Sequence, residues 1–294
     1  MKRPNFFIIG APKCGTTSLA KWLSEHPNIY MSPVKEPHHF NDDEREGIRF
    51  RKHYEELFEA ATADHMAIGE ASTHYLFSKV AVQNILTYSP DAKFIIMLRN
   101  PVEMAPAWQE QLFFSRDESE ERFESAWQLQ EARAGGQYVP PTCLEPQLLQ
   151  YGEYCKLGHQ VERLLKTVDR ARCLFLFLEV MKKVPGTTYQ ETLRFLEVPD
   201  DMRNQFVPVN EAKERKSRLL ATSVRALGVL RRRIGITTSR GFILAKAIDN
   251  WNNVKRPRSA LSLETKRMLI GYFREDIELL QFTLGKDLRH WLSE

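Results

Sequence analysis

FFIIGAPKCGTTSLAKWL, residues 6–23, passes from a short apolar run through a glycine-flanked turn into an amphipathic repeat. Residues 6–9 read as a strand buried on both faces, and Leu19, Trp22 and Leu23 recur at helical spacing. A helix is predicted over 16–25, ended by His26 and Pro27. A strand that runs through glycine into a helix presents the unpaired N–H groups of the first helical turn. Those groups and the helix dipole attract phosphate oxygens, so GAPKCGTT at 10–17 reads as an anion cradle. The alternative is a glycine-rich turn that happens to hold a lysine. The spacing is that of the GxxxxG part of a Walker loop, but threonine follows the second glycine where a Walker loop has lysine, and the lysine here is Lys13.

Further along, 66–69, 93–98 (KFIIML) and 173–178 (CLFLFL) have the continuous apolar character of buried strands. Helical character lies around 80–88, 102–115, 120–134 and 151–168. Strands alternating with helices predict an α/β fold with a mainly parallel central sheet flanked by helices. After Pro199 no strand is expected, and amphipathic helices are predicted near 218–234 and 263–282. The expected organisation is a single domain over 1–294, with the α/β core in 1–199 and a mostly helical, basic cover in 200–294.

The 43% hydrophobic content is ordinary for a globular protein of 294 residues. The apolar run at 6–11 ends at Pro12 and Lys13, far short of a secretory or membrane-spanning segment, which leads to the expectation of a cytoplasmic protein. Cys14, Cys143, Cys155 and Cys173 show no CxxC pairing, so neither a disulfide framework nor a zinc site is expected. The net charge of +4 is unevenly spread: residues 211–258 hold 13 Lys and Arg against 3 acids. Such a segment suits an anionic ligand, nucleic acid, a membrane surface or simply a solvated helix face.

Three other stretches carry chemistry. In KFIIMLRNP, 93–101, Arg99 leaves the carboxyl end of a buried strand, the edge of an α/β sheet where ligands bind, and its fork suits a phosphate. In PVKEPHHF, 33–40, Glu36 is a candidate general base, with Lys35 favouring its ionised form. The alternative there is a loop carboxylate paired with Lys35 beside histidines that pack. In GEASTHYL, 69–76, His74 is a second candidate base or a hydrogen-bonded structural histidine. His38, His39 and His74 have no metal-ligand spacing, and YGEY at 151–154 reads equally as a packed aromatic helix start.

The PKCGTT loop followed by the strand ending in RNP resembles the sulfotransferases, over roughly the first two thirds of the chain. The resemblance implies 3′-phosphoadenosine 5′-phosphosulfate as sulfuryl donor, 3′,5′-adenosine bisphosphate as product, and no metal. It places the 5′-phosphosulfate on Lys13, Cys14, Gly15, Thr16, Thr17 and Ser18, including the backbone N–H groups of 15–18, and the 3′-phosphate on Arg99. KEPHH is similar to the KEPHFF-like run of the heparan sulfate branch, which gives the role of base to Glu36. Two departures stand out: the family continues roughly RNPxxRAxS, whereas Met104 and Ala107 replace the arginine and serine here, and Ala71 stands where a lysine is common. The basic residues Lys213, Arg215 and Lys216 are candidates to supply the missing donor contacts. The expected acceptor is a small molecule or a saccharide, with no nucleic acid, no membrane span, and a homodimer compatible with the reading. The rival readings are a P-loop nucleotide kinase and a non-catalytic nucleotide-binding protein on the same fold. A kinase would need a lysine after Gly15 and a magnesium-binding acid at a strand end.

Overall fold

The computed structural model describes residues 3–43, 53–208 and 261–293, and the backbone of 213–215 and 253–255. The apolar runs form strands β1 (Phe6–Gly10), β3 (Ala67–Ala71), β4 (Lys93–Leu98) and β5 (Cys173–Phe177). A further strand, β2 (Ile29–Met31), is only three residues long, too short to leave a periodic signature in the sequence. All neighbours pair in parallel, in the order β2-β3-β1-β4-β5. Every residue of β1 and β3 is buried, as a parallel sheet covered on both faces requires. The chain builds one side of β1 with β3 and β2, then returns to the other side with β4 and β5. The carboxyl edge beside β1, where that reversal occurs, is where such sheets bind ligands.

Helices α1 (Thr16–Ser24), α2 (Ala81–Tyr88) and α3 (Pro101–Ser115) lie close to their predicted positions. The helix predicted over 120–134 is two, α4 (Phe123–Gln128) and α5 (Gln130–Ala134). The one predicted over 151–168 is also two, α6 (Tyr151–Tyr154) and α7 (Leu157–Leu165). The second break has a clear cause: Asp276 accepts the Gly158 and His159 N–H groups at 2.9 and 3.0 Å, capping a fresh helix start. Helices α8 (Leu178–Lys183) and α9 (Pro185–Leu196) follow β5. The expectation of no strand beyond Pro199 is wrong, because β6 (Lys213–Arg215) and β7 (Asn253–Lys255) pair antiparallel. The helix predicted at 218–234 lies outside the described residues, while the second is the helix Leu263–Leu284.

The chain divides into two compact units. Met1–Met104, Lys156–Asn210 and Tyr272–Ser293 form the first, which holds the whole five-stranded sheet, and Ala105–Cys155 with Glu211–Gly271 forms most of the second. In the second unit Arg133 and Glu118 make a fully buried ion pair at 2.5 Å, joined by the Tyr151 hydroxyl, and Trp108 stacks on Tyr154. Tyr151 and Tyr154 are thus packing residues of that unit.

Candidate active site

In the first unit, β1 leaves the sheet at Gly10 between two other strand ends. Ala11 N–H donates to Met97 O at 2.8 Å on β4, and Leu76 N–H donates to Ile9 O at 2.8 Å from the segment after β3. A methyl group at Gly10 would lie 2.7 Å from Leu76 Cβ, so glycine is what lets these segments touch. Gly15 caps α1 in the left-handed region at φ 92°, and a methyl there would lie 2.9 Å from Leu178 Cδ1. No side chain caps the first turn of α1, so its donors face the space ahead of the helix.

The cradle is narrower than the sequence suggests. Ser18 N–H turns back to Gly15 O at 3.1 Å, which leaves the backbone donors of Gly15, Thr16 and Thr17. Cys14 sends its side chain into the core, its Sγ 4.0 Å from Met104 Sδ, and burial pushes its thiol up to about 12 although Arg99 opposes the shift. It is an inert thiol, and Met104 is a fully buried core residue beneath the loop. Ala107 is also buried. Lys13 is half-buried and held at φ 63°, a left-handed conformation that costs a non-glycine residue of order 1–3 kcal/mol.

Arg99 leaves β4 buried and reaches the 10–17 loop directly, its Nη1 donating to Lys13 O at 3.2 Å. Its Nε and Nη2 close on Glu103 Oε2 at 3.2 and 3.0 Å, so an exposed carboxylate occupies the fork that a phosphate would use. Asn100 caps α3 through Val102 N–H at 3.0 Å and donates to Trp291 O at 3.2 Å.

Glu36 follows the end of β2, and its N–H donates to Ala71 O at 2.9 Å beside the end of β3. Its carboxylate accepts Thr73 N–H at 2.7 Å, the Thr73 hydroxyl at 3.1 Å, and Lys35 Nζ. His38 Nε2 lies 3.6 Å from Glu36 Oε2, and the His38 and His74 rings meet edge to face at 4.9 Å. Burial alone would raise the Glu36 carboxyl, but the charges of Lys35, His38 and His74 override it and bring it to about 2. Glu36 and His38 are both left-handed, at φ 58° and 50°, and with Lys13 they make three of the seven such non-glycine residues described. Backbone strain is thus concentrated here. His39 turns away and stacks on Tyr54 at 4.1 Å.

Residues 3–222 match the family described as Sulfotransferase domain. The chain belongs to the sulfotransferase domain family. Carbohydrate sulfotransferase 15 of Mus musculus is 32% identical over 174 residues, covering 43% of this chain and 31% of that protein. The bifunctional heparan sulfate N-deacetylase/N-sulfotransferase 4 of the same species is 28% identical over 203 residues, 66% of this chain and 22% of that protein. The chain thus spans less than a third of the length of these curated relatives. A crystal structure of a sulfotransferase from Alicyclobacillus acidocaldarius matches 100% of both chains, with a TM-score of 0.72 and 25% identity.

Of the residues read from the sequence of this sulfotransferase domain, Lys13 and Arg99 meet at the 10–17 loop, and Glu36, His38 and His74 form one cluster. Lys213 and Arg215 belong to the second unit, where only their backbone is described, and Lys216 lies outside the described residues. No group of three or more His, Cys, Asp or Glu that could hold a metal occurs among the described residues, and none of their helices is long and apolar enough to cross a membrane. Sequence reading missed Thr73, Glu103 and Glu70. The last had a signal, a carboxylate inside a buried strand, which is costly unless hydrogen-bonded.

Proposed function

We propose that this sulfotransferase domain moves a sulfuryl group from 3′-phosphoadenosine 5′-phosphosulfate to a hydroxyl or amine of a small acceptor. The observation that carries this reading is the convergence on one sheet edge of an uncapped helix start, a buried arginine bonded to the donor loop, and a carboxylate at the neighbouring strand ends. The residues fit the donor: Gly15 takes the left-handed turn into α1 and packs against Leu178 and Met181 where a side chain would collide, and Arg99 presents its guanidinium beside Lys13. Bound there, the donor supplies an activated sulfuryl group. Lys13 and the N–H groups of Gly15, Thr16 and Thr17 neutralise the charge that grows on the leaving phosphate oxygen. Arg99 takes the 3′-phosphate once its fork is released from Glu103. Glu36 receives the acceptor's proton.

One observation favours a second assignment of the base. A carboxylate held near 2 by the charges of Lys35, His38 and His74 is a weak proton acceptor, and His74 lies in the same cluster. In that arrangement His74 takes the proton and Glu36 stabilises the imidazolium. Turnover of Glu36→Gln and His74→Ala, each with intact nucleotide binding, separates the two.

Isothermal titration tests the whole reading. 3′,5′-Adenosine bisphosphate should bind at least about tenfold more tightly than ATP, a difference of about 1.4 kcal/mol. Preference for ATP would instead support a kinase, and tight binding of a short duplex a nucleic-acid protein. A screen of acceptors with labelled donor then names the substrate.

A further inference from the structure

Glu70, the fourth residue of β3, is fully buried and has no part in the chemistry above. Its Oε1 accepts the Tyr54 and Tyr75 hydroxyls, both at 2.9 Å, and its Oε2 accepts the Ser72 hydroxyl at 2.7 Å. Two of those hydroxyls point onward. Ser72 Oγ accepts His38 N–H at 3.2 Å, and the Tyr75 oxygen accepts His39 N–H at 2.8 Å and Phe40 N–H at 3.4 Å. A hydroxyl has one proton to give. Because Ser72 and Tyr75 donate theirs to Glu70, their lone pairs are turned toward three consecutive backbone N–H groups of the 36–40 loop.

We propose that Glu70 is a positioning residue for sulfuryl transfer: by orienting the Ser72 and Tyr75 hydroxyls it holds the backbone of 38–40, and so sets the loop that carries Glu36 and His38. This rests on the sulfotransferase reading above for its functional consequence, but not for its geometry. The loop needs such a hold, since two of its residues sit in the left-handed region and non-glycine residues stay there only when their surroundings over-determine them. The arrangement calls for the ionised carboxylate, the form that prevails above about 7, because all three groups around it are donors and it accepts without donating. Glutamine would bring an NH₂ group against those hydroxyls and leave at least one of them misdirected.

Tyr54 is stacked by His39 and meets Tyr88 of α2 at 5.8 Å, and the Glu36 charge acts on Glu70. Burial raises the Glu70 carboxyl to about 7, the three hydroxyl donors oppose the rise, and Glu36 adds to it.

The test compares Glu70→Gln with Tyr75→Phe and Ser72→Ala, which remove the relays while leaving the buried carboxylate in place. Amide hydrogen exchange should show the protection of 38–40 reduced by about tenfold or more in Glu70→Gln, with β1, α1 and β4 unchanged. The imidazole resonances of His38 and His74 should move in the NMR spectrum, because the loop that aims His38 has shifted. Titration with 3′,5′-adenosine bisphosphate should give the parent's affinity within about twofold, since the donor loop stands on β1. Tyr75→Phe and Ser72→Ala should each reproduce part of the loss at 38–40, and they decide the matter alone if Glu70→Gln does not fold. Unchanged protection and resonances in all three variants would overturn the proposal. So would loss of protection throughout the first unit, which would make Glu70 a structural residue only. Failure of the parent to bind 3′,5′-adenosine bisphosphate would instead overturn the sulfotransferase reading and leave the Glu70 hold standing.

Discussion

The 10–17 loop, proposed to hold the donor, and the loop carrying Glu36 stand at neighbouring strand ends but are held by different means. The donor loop is shaped by main chain: β1 runs into α1 through a left-handed glycine, and Ala11 N–H is bonded to β4. The 36–40 loop has one backbone bond to β3, from Glu36 N–H to Ala71 O, and is held besides by the side chains of Ser72, Tyr75 and Asn84 and by the N–H and hydroxyl of Thr73. On the donor side a substitution removes charge from a site that keeps its shape. On the base side it also removes the shape.

The largest expected effect is on the base side. Glu36→Gln keeps the size and loses the basicity, so turnover should fall by roughly 10²- to 10⁴-fold while product-nucleotide binding stays nearly unchanged. A fully active Glu36→Gln with a dead His74→Ala would move the base to the imidazole. On the donor side, Lys13→Ala should lower turnover by roughly 10²- to 10³-fold, with a smaller loss of product binding, as expected of a group that acts on charge developing in the transition state. Unchanged turnover would show that Lys13 is only part of the turn.

Arg99→Ala should weaken binding of 3′,5′-adenosine bisphosphate by about 2 to 5 kcal/mol, the cost of truncating one member of a buried charge-assisted pair. The same variant should leave affinity for the nucleotide lacking the 3′-phosphate almost untouched. Titration calorimetry reads both, and equal losses for the two nucleotides would show that Arg99 supports the loop without reading the phosphate.

Two carboxylates of the base side sharpen the contrast through pH. Glu36 is depressed from 4.5 to about 2, so its contribution to stability is present above pH 4.5 and lost as pH falls through 2. Glu70 is raised from 4.5 to about 7, so the folded state holds a proton that the unfolded chain has released. Its contribution is full below pH 4.5 and lost as pH rises through 7. Denaturant melts should show stability declining from pH 4.5 to 7 by on the order of 1 to 3 kcal/mol. That decline should be absent in Glu70→Gln, and its persistence there would assign it to another group. The smallest effect expected is at Glu103, whose carboxylate competes for the Arg99 fork. Glu103→Gln should tighten binding of 3′,5′-adenosine bisphosphate by about twofold, the scale of an exposed i,i+4 pair. Weaker binding would mean that Glu103 steadies Arg99 for the phosphate.

Among the residues involved, legibility in the sequence followed locality. Phe6, Gly10, Gly15 and Thr16 announce strand, turn and helix within a dozen positions, because a parallel strand buried on both faces and an uncapped helix start each leave a contiguous pattern. Arg99 was equally plain at the end of KFIIML. The replacements Met104 and Ala107 were visible as departures, but only the fold shows them to be buried, with Met104 packed beneath Cys14. The partnership of Glu103 with Arg99 is an i,i+4 contact that charge spacing could have suggested.

By itself the sequence determined the parallel α/β sheet, the strand-turn-helix at 6–23 and the arginine beside it, since each is written in consecutive residues whose period or turn chemistry is self-sufficient. Tertiary structure decided how the loop carrying Glu36 is held, although Glu36 and His74 themselves stand out in the sequence. Ser72 and Tyr75 bond the 36–40 loop from up to 36 positions away, with Glu70 and Tyr54 behind them, through hydroxyl bonds that have no period in the sequence. It also decided where the strained backbone lies, because Lys13, Glu36 and His38 take left-handed conformations that surroundings impose and residue identity does not foretell.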